Sequence, residues 1–414
     1  MPPVAHLQLP LIVTLLLLLL SARVMGELFE RIGAPAMVGE VLAGVLLGPS
    51  VINLVTPSPE LNVITDLAVF LLIVMAGMEI SPEEIRKSFK PGTFWLAVFG
   101  FLIPFITGVS VGFFFGYNPF FSLFLGLCIA ITALPVTIRI LMDLGKLQTS
   151  IGQQIISVAI FNDIASLLIL GILLDFPGEA RSIRQFAVSV GITTMKLLLL
   201  IALLYIAYQV IRFASRKLDF ITTQLDRLLL FLKGKESMFA LVMLFILVFA
   251  SISELLGMYF IIGAFFGTIL IPRTIVSRND FKRVKEAASG ITSGFLTPIF
   301  FAAMGASFNI RVLNDFTLLA ILTMAVFASK IIGGFIGGRL TGLTTANAFI
   351  LGIGINAGGI MALAIANIAL TKNLIDVQLF SILVLLALIT TLVTPLLLKL
   401  VFRYSDHKEG IIRM

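Results

Sequence analysis

Charge is scarce in this chain. Asp, Glu, Lys and Arg make up 12% of its 414 residues, about half the share found in a soluble domain. So few charges cannot coat a water-facing surface, whereas the 59% of hydrophobic residues suits lipid. Histidine is almost absent. His6 and His407 stand near the two ends, which argues against a histidine-based metal site or catalytic triad. Cys128 is the single cysteine, so an internal disulfide and a multi-cysteine metal centre are excluded. No HExxH pattern and no nucleophile–base pair stands out, so an enzyme and a bound cofactor are not expected.

What the chain has instead is long apolar runs. A crossing of the bilayer needs roughly 20 residues. Thirteen runs qualify, beginning near Leu11, Met37, Ile64, Thr93, Phe121, Ile151, Phe186, Met238, Tyr259, Thr292, Phe316, Thr345 and Gln378. The ninth, Tyr259 to Pro272, is the shortest. The N-terminal MPPVAHLQLP lacks the positive segment of a signal peptide, so the Leu-rich run after it is read as the first membrane helix. Only two connections are sizeable, Arg212 to Ser237 and Arg273 to Ile291.

The positive charges test this count. With the N-terminus outside, the inner loops and the C-terminal end carry 22 Lys and Arg. The outer loops carry four: Arg181, Arg184, Arg311 and Lys372. That asymmetry fits the positive-inside rule and places the C-terminus in the cytoplasm of a multi-pass cell-membrane protein. The net charge of +7 is then accounted for by topology and anionic lipid heads, and no nucleic-acid partner is expected. Thirteen crossings permit two six-helix halves joined by the seventh helix. The halves would be inverted, a pattern common in secondary transporters.

Two runs are interrupted at membrane depth. The fifth reads GLCIAITALPVTIRILMDLGKL, where Pro135 lacks an N–H and follows Thr132, Ala133 and Leu134. The corresponding run of the second half, the twelfth, reads AFILGIGINAGGIMALAIANIAL, weakened by Asn356, Gly358 and Gly359. A single such break is more often a kink. Two in corresponding positions point to a transporter site.

Charge within the apolar runs is the second pointer. Asp163 stands near the centre of the sixth run, beside Asn162, and Lys330 lies well inside the eleventh. Ionisable groups at that depth are costly and mark function by default. Lys330 is the natural partner or competitor of Asp163. Glu40, Glu79, Asp66 and Glu254 lie nearer helix ends, Arg139 and Asp143 stand four residues apart, and Lys196, about ten residues into the seventh run, can snorkel, so a structural role suits them all. Gly333, Gly334, Gly337 and Gly338 are read as close-packing positions.

These residue types suit exchange. A carboxylate removed from water can hold a proton or a small cation, but not both well. Asp163 would supply charge and Thr132 a hydroxyl. Carbonyls freed around Ala133 and Leu134 would supply further oxygens, and Asn162 would brace the breaks. The bound metal would be a monovalent cation at Asp163.

The motifs PAMVGEVLAGVLLGPS (35–50), FLLIVMAGMEIS (70–81), ITALPVTIRIL (131–141) and FNDIASLLIL (161–170) resemble those of the monovalent cation–proton antiporters. LLGMYFIIGAFFGTIL (255–270), PIFFAAMGASF (298–308) and GIGINAGGIMALAIANI (352–368) do likewise. The likeness is to their second family, which includes Kef-type systems and plant cation–proton exchangers, and it covers nearly the whole chain. The resemblance implies an all-α membrane protein of about thirteen helices, two inverted six-helix repeats, two broken crossing helices and a homodimer. It implies a dimerisation domain (1–60 and 237–290; helices 1, 2, 8 and 9) and a core transport domain (61–175 and 291–404; helices 3–6 and 10–13). A linker helix (184–213) and a cytoplasmic tail (405–414) complete the division. By residue match, Asp163 is the cation and proton carrier, Asn162 its neutral neighbour, Thr132 a residue of the crossing, and Lys330 the buried basic residue. The core would move like an elevator.

The chain departs from that pattern in two places. Electrogenic relatives carry two adjacent acids where this chain has Asn162–Asp163, which implies electroneutral exchange. Many relatives place an arginine and a glutamate in the twelfth helix, where Gly358 and Ala362 stand here. The sequence-level expectation is an antiporter of H+ against Na+, with K+ and Li+ as alternative ions. A sodium-coupled symporter of an organic anion on a related fold is the competing reading.

Overall fold

The computed structural model describes residues 9–80, 90–174, 237–271, 278–309, 316–372 and 374–412, and scattered residues between 188 and 209. No strand occurs among the described residues. That follows from the solvent: in lipid each backbone N–H and C=O must be satisfied within its own segment, which a helix does.

The first half contains α1 (Leu11–Arg31), α2 (Ala36–Leu47), α3 (Pro59–Glu79) and α4 (Pro91–Phe114). It continues with α5 (Pro119–Ala130), α6 (Leu134–Asp143) and α7 (Ser150–Leu174). Proline stands just before or at the first residue of several of these helices. There its missing N–H costs nothing and its fixed φ suits the first turn. The seventh apolar run falls partly outside the described residues, and those that are described, from Val188 to Gln209, are helical.

The second half contains α8 (Ser237–Leu255), α9 (Phe260–Ile269) and α10 (Arg278–Ile291). A short π-helical stretch (Thr292–Leu296) joins α10 to α11 (Thr297–Ser307). Then come α12 (Phe316–Leu340), α13 (Thr345–Gly354), α14 (Gly359–Thr371) and α15 (Val377–Ile412). Among the described residues, eight helices are long and apolar enough to cross a membrane. Five shorter apolar ones among the described residues include α5, α13 and most of α14, three of the four halves of the broken crossings.

Two boundaries differ from the sequence expectation. The tenth crossing starts at Arg278, fourteen residues before Thr292, because RNDFKRVKEAASGI keeps one charged face and one apolar face at helical spacing. The last helix runs on through Ile412 and takes in most of the expected tail. Lys408 and Glu409 are helix formers on a par with leucine, so the helix need not stop where the apolar run does.

The chain divides into two compact units. One comprises residues 1–66, 83–166 and 297–414, the other 67–82 and 167–296, so the boundary falls inside α3 and inside α7. In the first unit, Leu18 and Ala22 of α1 share a core with Val55, Leu61 and four residues of α11 (Ile299, Ala302, Ala303 and Ala306). Here α2 and α11 touch backbone to backbone: a Cβ on Gly44 would stand 1.8 Å from the Ala302 carbonyl oxygen, and one on Gly305 2.0 Å from that of Val41. The glycines of α12 act in the same way. Gly333 and Gly337 face the carbonyl oxygens of Phe99 and Leu96 in α4, and Gly334 and Gly338 face Gly352 and Ala348 in α13. Between lipid-soluble helices this dispersion contact replaces the hydrophobic drive that water supplies elsewhere.

In the second unit Leu200, Phe249, Met258 and Ile262 form a core cluster. Glu79, the last residue of α3, pairs with Lys285 of α10 at 2.8 Å.

Candidate functional site

The site is assembled where the two interrupted crossings meet in the first unit. α5 ends at Ala130, and Ile131 and Ala133 turn to extended backbone before α6 opens with proline in its first two positions. An uninterrupted helix would push the ring of Pro135 against the carbonyl of Ile131, so the chain breaks before it. The side chain of Pro135 lies outside the described residues, as do those of Arg139 and Asp143, so that expected pair has no structural counterpart here.

The second break separates α13 from α14 through Ile355, Asn356, Ala357 and Gly358. Gly359 has φ +46°, a left-handed conformation disfavoured for residues with a Cβ. It also sits where a Cβ would lie 2.7 Å from Ala133 Cβ and 2.7 Å from Val136 Cγ2. Gly358 differs: its φ is −76°, and a Cβ there would meet only Thr390 Oγ1 at 3.4 Å and Ala362 Cβ at 3.5 Å. The two glycines look alike in sequence, but only Gly359 is demanded by the crossing.

Hydrogen bonds tie the breaks together. The Ala133 N–H donates to the Ala357 carbonyl at 2.7 Å, and the Thr132 hydroxyl donates to the Ile355 carbonyl at 2.8 Å. Asn162 Nδ2 in turn donates to Thr132 Oγ1 at 3.0 Å. Lys330 Nζ donates to the Ile131 carbonyl. Thr132, Asn162 and Asp163 are 0% exposed and Lys330 is 1% exposed. The sequence foresaw oxygens from Ala133 and Leu134, but the Ala133 carbonyl accepts from the Thr137 N–H at 3.0 Å, which starts α6. The carbonyls that the breaks release are those of Ile131, Ile355 and Ala357. Leu134 instead turns its N–H toward the site.

Asp163 is the fourteenth of the 25 residues of α7, and Lys330 the fifteenth of the 25 in α12, so both stand mid-helix. Neither carboxylate oxygen of Asp163 has a hydrogen-bond partner among the described residues, and Asn162 Oδ1 is equally bare. The Leu134 N–H and the Lys330 ammonium are the positive groups that act on the Asp163 charge. Lys330 thus influences Asp163 through its field, while its hydrogen bond goes to the end of α5. The buried oxygens of this region are Asp163 Oδ1 and Oδ2, Asn162 Oδ1 and Thr132 Oγ1. Hard cations prefer such donors.

Sequence reasoning missed three backbone carbonyls and two hydroxyls. Ser166 and Thr137 are fully buried, and their hydroxyls have no partner among the described residues. Ser166 could have been found, since it lies three residues after Asp163 on the same helix face. The sequence places Glu40 at or near a helix end. It lies in the fifth position of α2, buried, in space left by Gly26 of α1.

The chain is similar to known proteins in sequence and in fold. The probable Na+/H+ antiporter GerT of Bacillus cereus is 28% identical over 94% of this chain and 98% of its own. The Na+/H+–K+ antiporter GerN of the same organism is 28% identical over 94% and 96%. Among solved structures, the sodium proton antiporter MjNhaP1 of Methanocaldococcus jannaschii superposes with a TM-score of 0.62 over 94% of this chain and 95% of its own. At 14% identity that likeness speaks for the fold alone. Residues 14–404 match the family described as "Sodium/hydrogen exchanger, transmembrane", and this multi-pass membrane protein therefore belongs to the sodium/hydrogen exchanger family.

Proposed function

We propose that this chain is a secondary antiporter exchanging a monovalent cation, Na+ first and K+ or Li+ as alternatives, for H+. One observation carries the reading: Asp163 is wholly buried beside two crossing breaks, and neither of its oxygens has a hydrogen-bond partner among the described residues. A bare buried carboxylate is costly unless a proton or a cation neutralises it. Asp163 therefore takes one or the other. Thr132 Oγ1 and Asn162 Oδ1 complete the cation's oxygen cage, and Asn162 Nδ2 fixes Thr132 in place. The family and the relatives' names support antiport.

A single carboxylate beside Asn162 makes the exchange electroneutral, one proton for one cation. Access alternates by elevator-type movement of the core (61–175 and 291–404) against the dimerisation domain (1–60 and 237–290) of a homodimer in the cell membrane, connected by the linker helix (184–213). The N-terminus lies outside and the C-terminus in the cytoplasm.

The test is proton flux in sealed proteoliposomes. A pH gradient is imposed and Na+, K+ or Li+ is added in turn, with wild type and Asp163→Asn compared. Cation-triggered dissipation that disappears in the variant is the expected outcome. A folded Asp163→Asn protein that dissipates the gradient normally refutes the assignment. Folded wild type that answers to no cation supports the organic-anion symporter instead.

A further inference from the structure

We propose that a cavity on the Lys330 side of the crossing holds an ordered water molecule bound by Asn356, and that Asn356 is thereby a positioning residue for the second break and the buried lysine. The cavity lies within the first unit and measures about 20 Å³. That is room for a water, which needs roughly 10–15 Å³. Cys128, Lys330, Asn356, Gly358, Ala362 and Thr390 are on its wall. The space exists because positions 358 and 362 carry almost no side chain: even a Cβ on Gly358 would make only ordinary contacts.

Asn356 calls for a guest. It is 0% exposed, and neither its amide nitrogen nor its amide oxygen has a partner among the described residues. Native proteins do not leave both ends of a buried amide bare without cause.

The donor and acceptor set selects the guest. Asn356 Nδ2 donates and Oδ1 accepts. The Thr390 hydroxyl donates its hydrogen to the Ala387 carbonyl at 3.0 Å, so its oxygen remains as an acceptor. A bare anion would face two acceptor oxygens. A bare cation would sit beside the Lys330 ammonium. Water both donates and accepts, so it can meet Asn356 and Thr390 together. Asn356 stands between Ile355 and Ala357, the two residues whose carbonyls receive Thr132 and Ala133. Water anchored there holds the second break in register with the first.

The cysteine provides a probe, because it is the only one in the chain and lines the cavity. X-ray hydroxyl-radical labelling read by mass spectrometry reports side chains in contact with bound water. In the intact, detergent-purified protein, Cys128, 8% exposed, should be oxidised faster than Met304, which is 0% exposed and off the cavity wall, and the filling variants separate bound water from that difference in exposure. Ala362→Leu fills the space and should bring Cys128 down toward Met304. Ala387→Leu, a second filling variant, should do the same if Ala362→Leu fails to fold. Labelling of Cys128 no faster than Met304, or unchanged in a folded filling variant, shows a dry cavity and overturns the proposal.

The positioning role rests on the antiport reading and has its own readout. Asn356→Leu should raise the cation KM more than it lowers the maximal rate, and Asn356→Ser, which readmits water, should restore it. A loss confined to the maximal rate, or no rescue by serine, overturns that role. Failure of antiport altogether would leave the labelling result standing, so the two failures are distinguishable.

Discussion

Two neighbouring glycines provide the sharpest test of how the crossing is built. Gly359→Ala forces a Cβ into a position with φ +46°, 2.7 Å from both Ala133 Cβ and Val136 Cγ2. The left-handed backbone costs an alanine about 1–2 kcal/mol. Overpacking against two side chains of the opposite break adds roughly 1–3 kcal/mol. The sum, about 2–5 kcal/mol, falls on the contact where the Ala133 N–H reaches the Ala357 carbonyl at 2.7 Å. Gly358→Ala, one residue earlier, has an ordinary φ of −76° and a nearest contact of 3.4 Å. It should be neutral, or stabilising by up to roughly 1 kcal/mol through the unfolded chain. Thermal unfolding of the detergent-purified variants, followed by fluorescence and by the surviving fraction on gel filtration, gives the comparison. A large loss for Gly359→Ala with little change for Gly358→Ala is expected. Equal effects, or the reverse order, would refute the crossing geometry.

Thr132→Val removes the hydroxyl that joins Asn162 to the Ile355 carbonyl. It leaves two buried groups bare at roughly 1–3 kcal/mol each, and it should lower both melting temperature and cation affinity, whereas Thr132→Ser keeps both. Gly334→Ala places a Cβ 2.4 Å from the Gly352 Cα and should destabilise by about 1–3 kcal/mol in the same melting assay. Gly290→Ala, with nothing within 4 Å, should not. Lys285→Met breaks a partly exposed ion pair with Glu79. Because water and salt screen that pair, the loss should stay below about 1 kcal/mol and shrink further in high salt.

Much of the fold was legible because each crossing is a run of apolar residues and each break carries its own chemistry. Pro135 announces the first break through its missing N–H, and Asn356, Gly358 and Gly359 together the second. Asp163 and Lys330 stood out because charge at mid-helix is rare. What the sequence could not supply were hydrogen-bond partners. Nothing in the run around Ile131 says that its carbonyl will receive Lys330, since the two lie 199 residues apart. Nor does a Gly–Gly pair reveal which glycine meets the opposite break, because that depends on the crossing itself. The tenth crossing looks shorter in the sequence than it is for a related reason. Its first turns carry Lys282, Arg283, Lys285 and Glu286, which a hydropathy scan takes for loop, whereas an amphipathic helix keeps such residues on one face. The emptiness beside Asn356 was likewise beyond reach, because a cavity is defined by side chains from four helices.

The central claim is that one carboxylate, Asp163, carries both the cation and the proton. The most direct measurement is the initial rate of cation-driven exchange in proteoliposomes, as a function of cation concentration, at several pH values on the cation side. Competition for a single site leaves the maximal rate unchanged while the apparent KM rises in proportion to proton concentration. A maximal rate that falls with pH while KM stays constant would mean that proton and cation bind at different places, and would contradict the role given to Asp163.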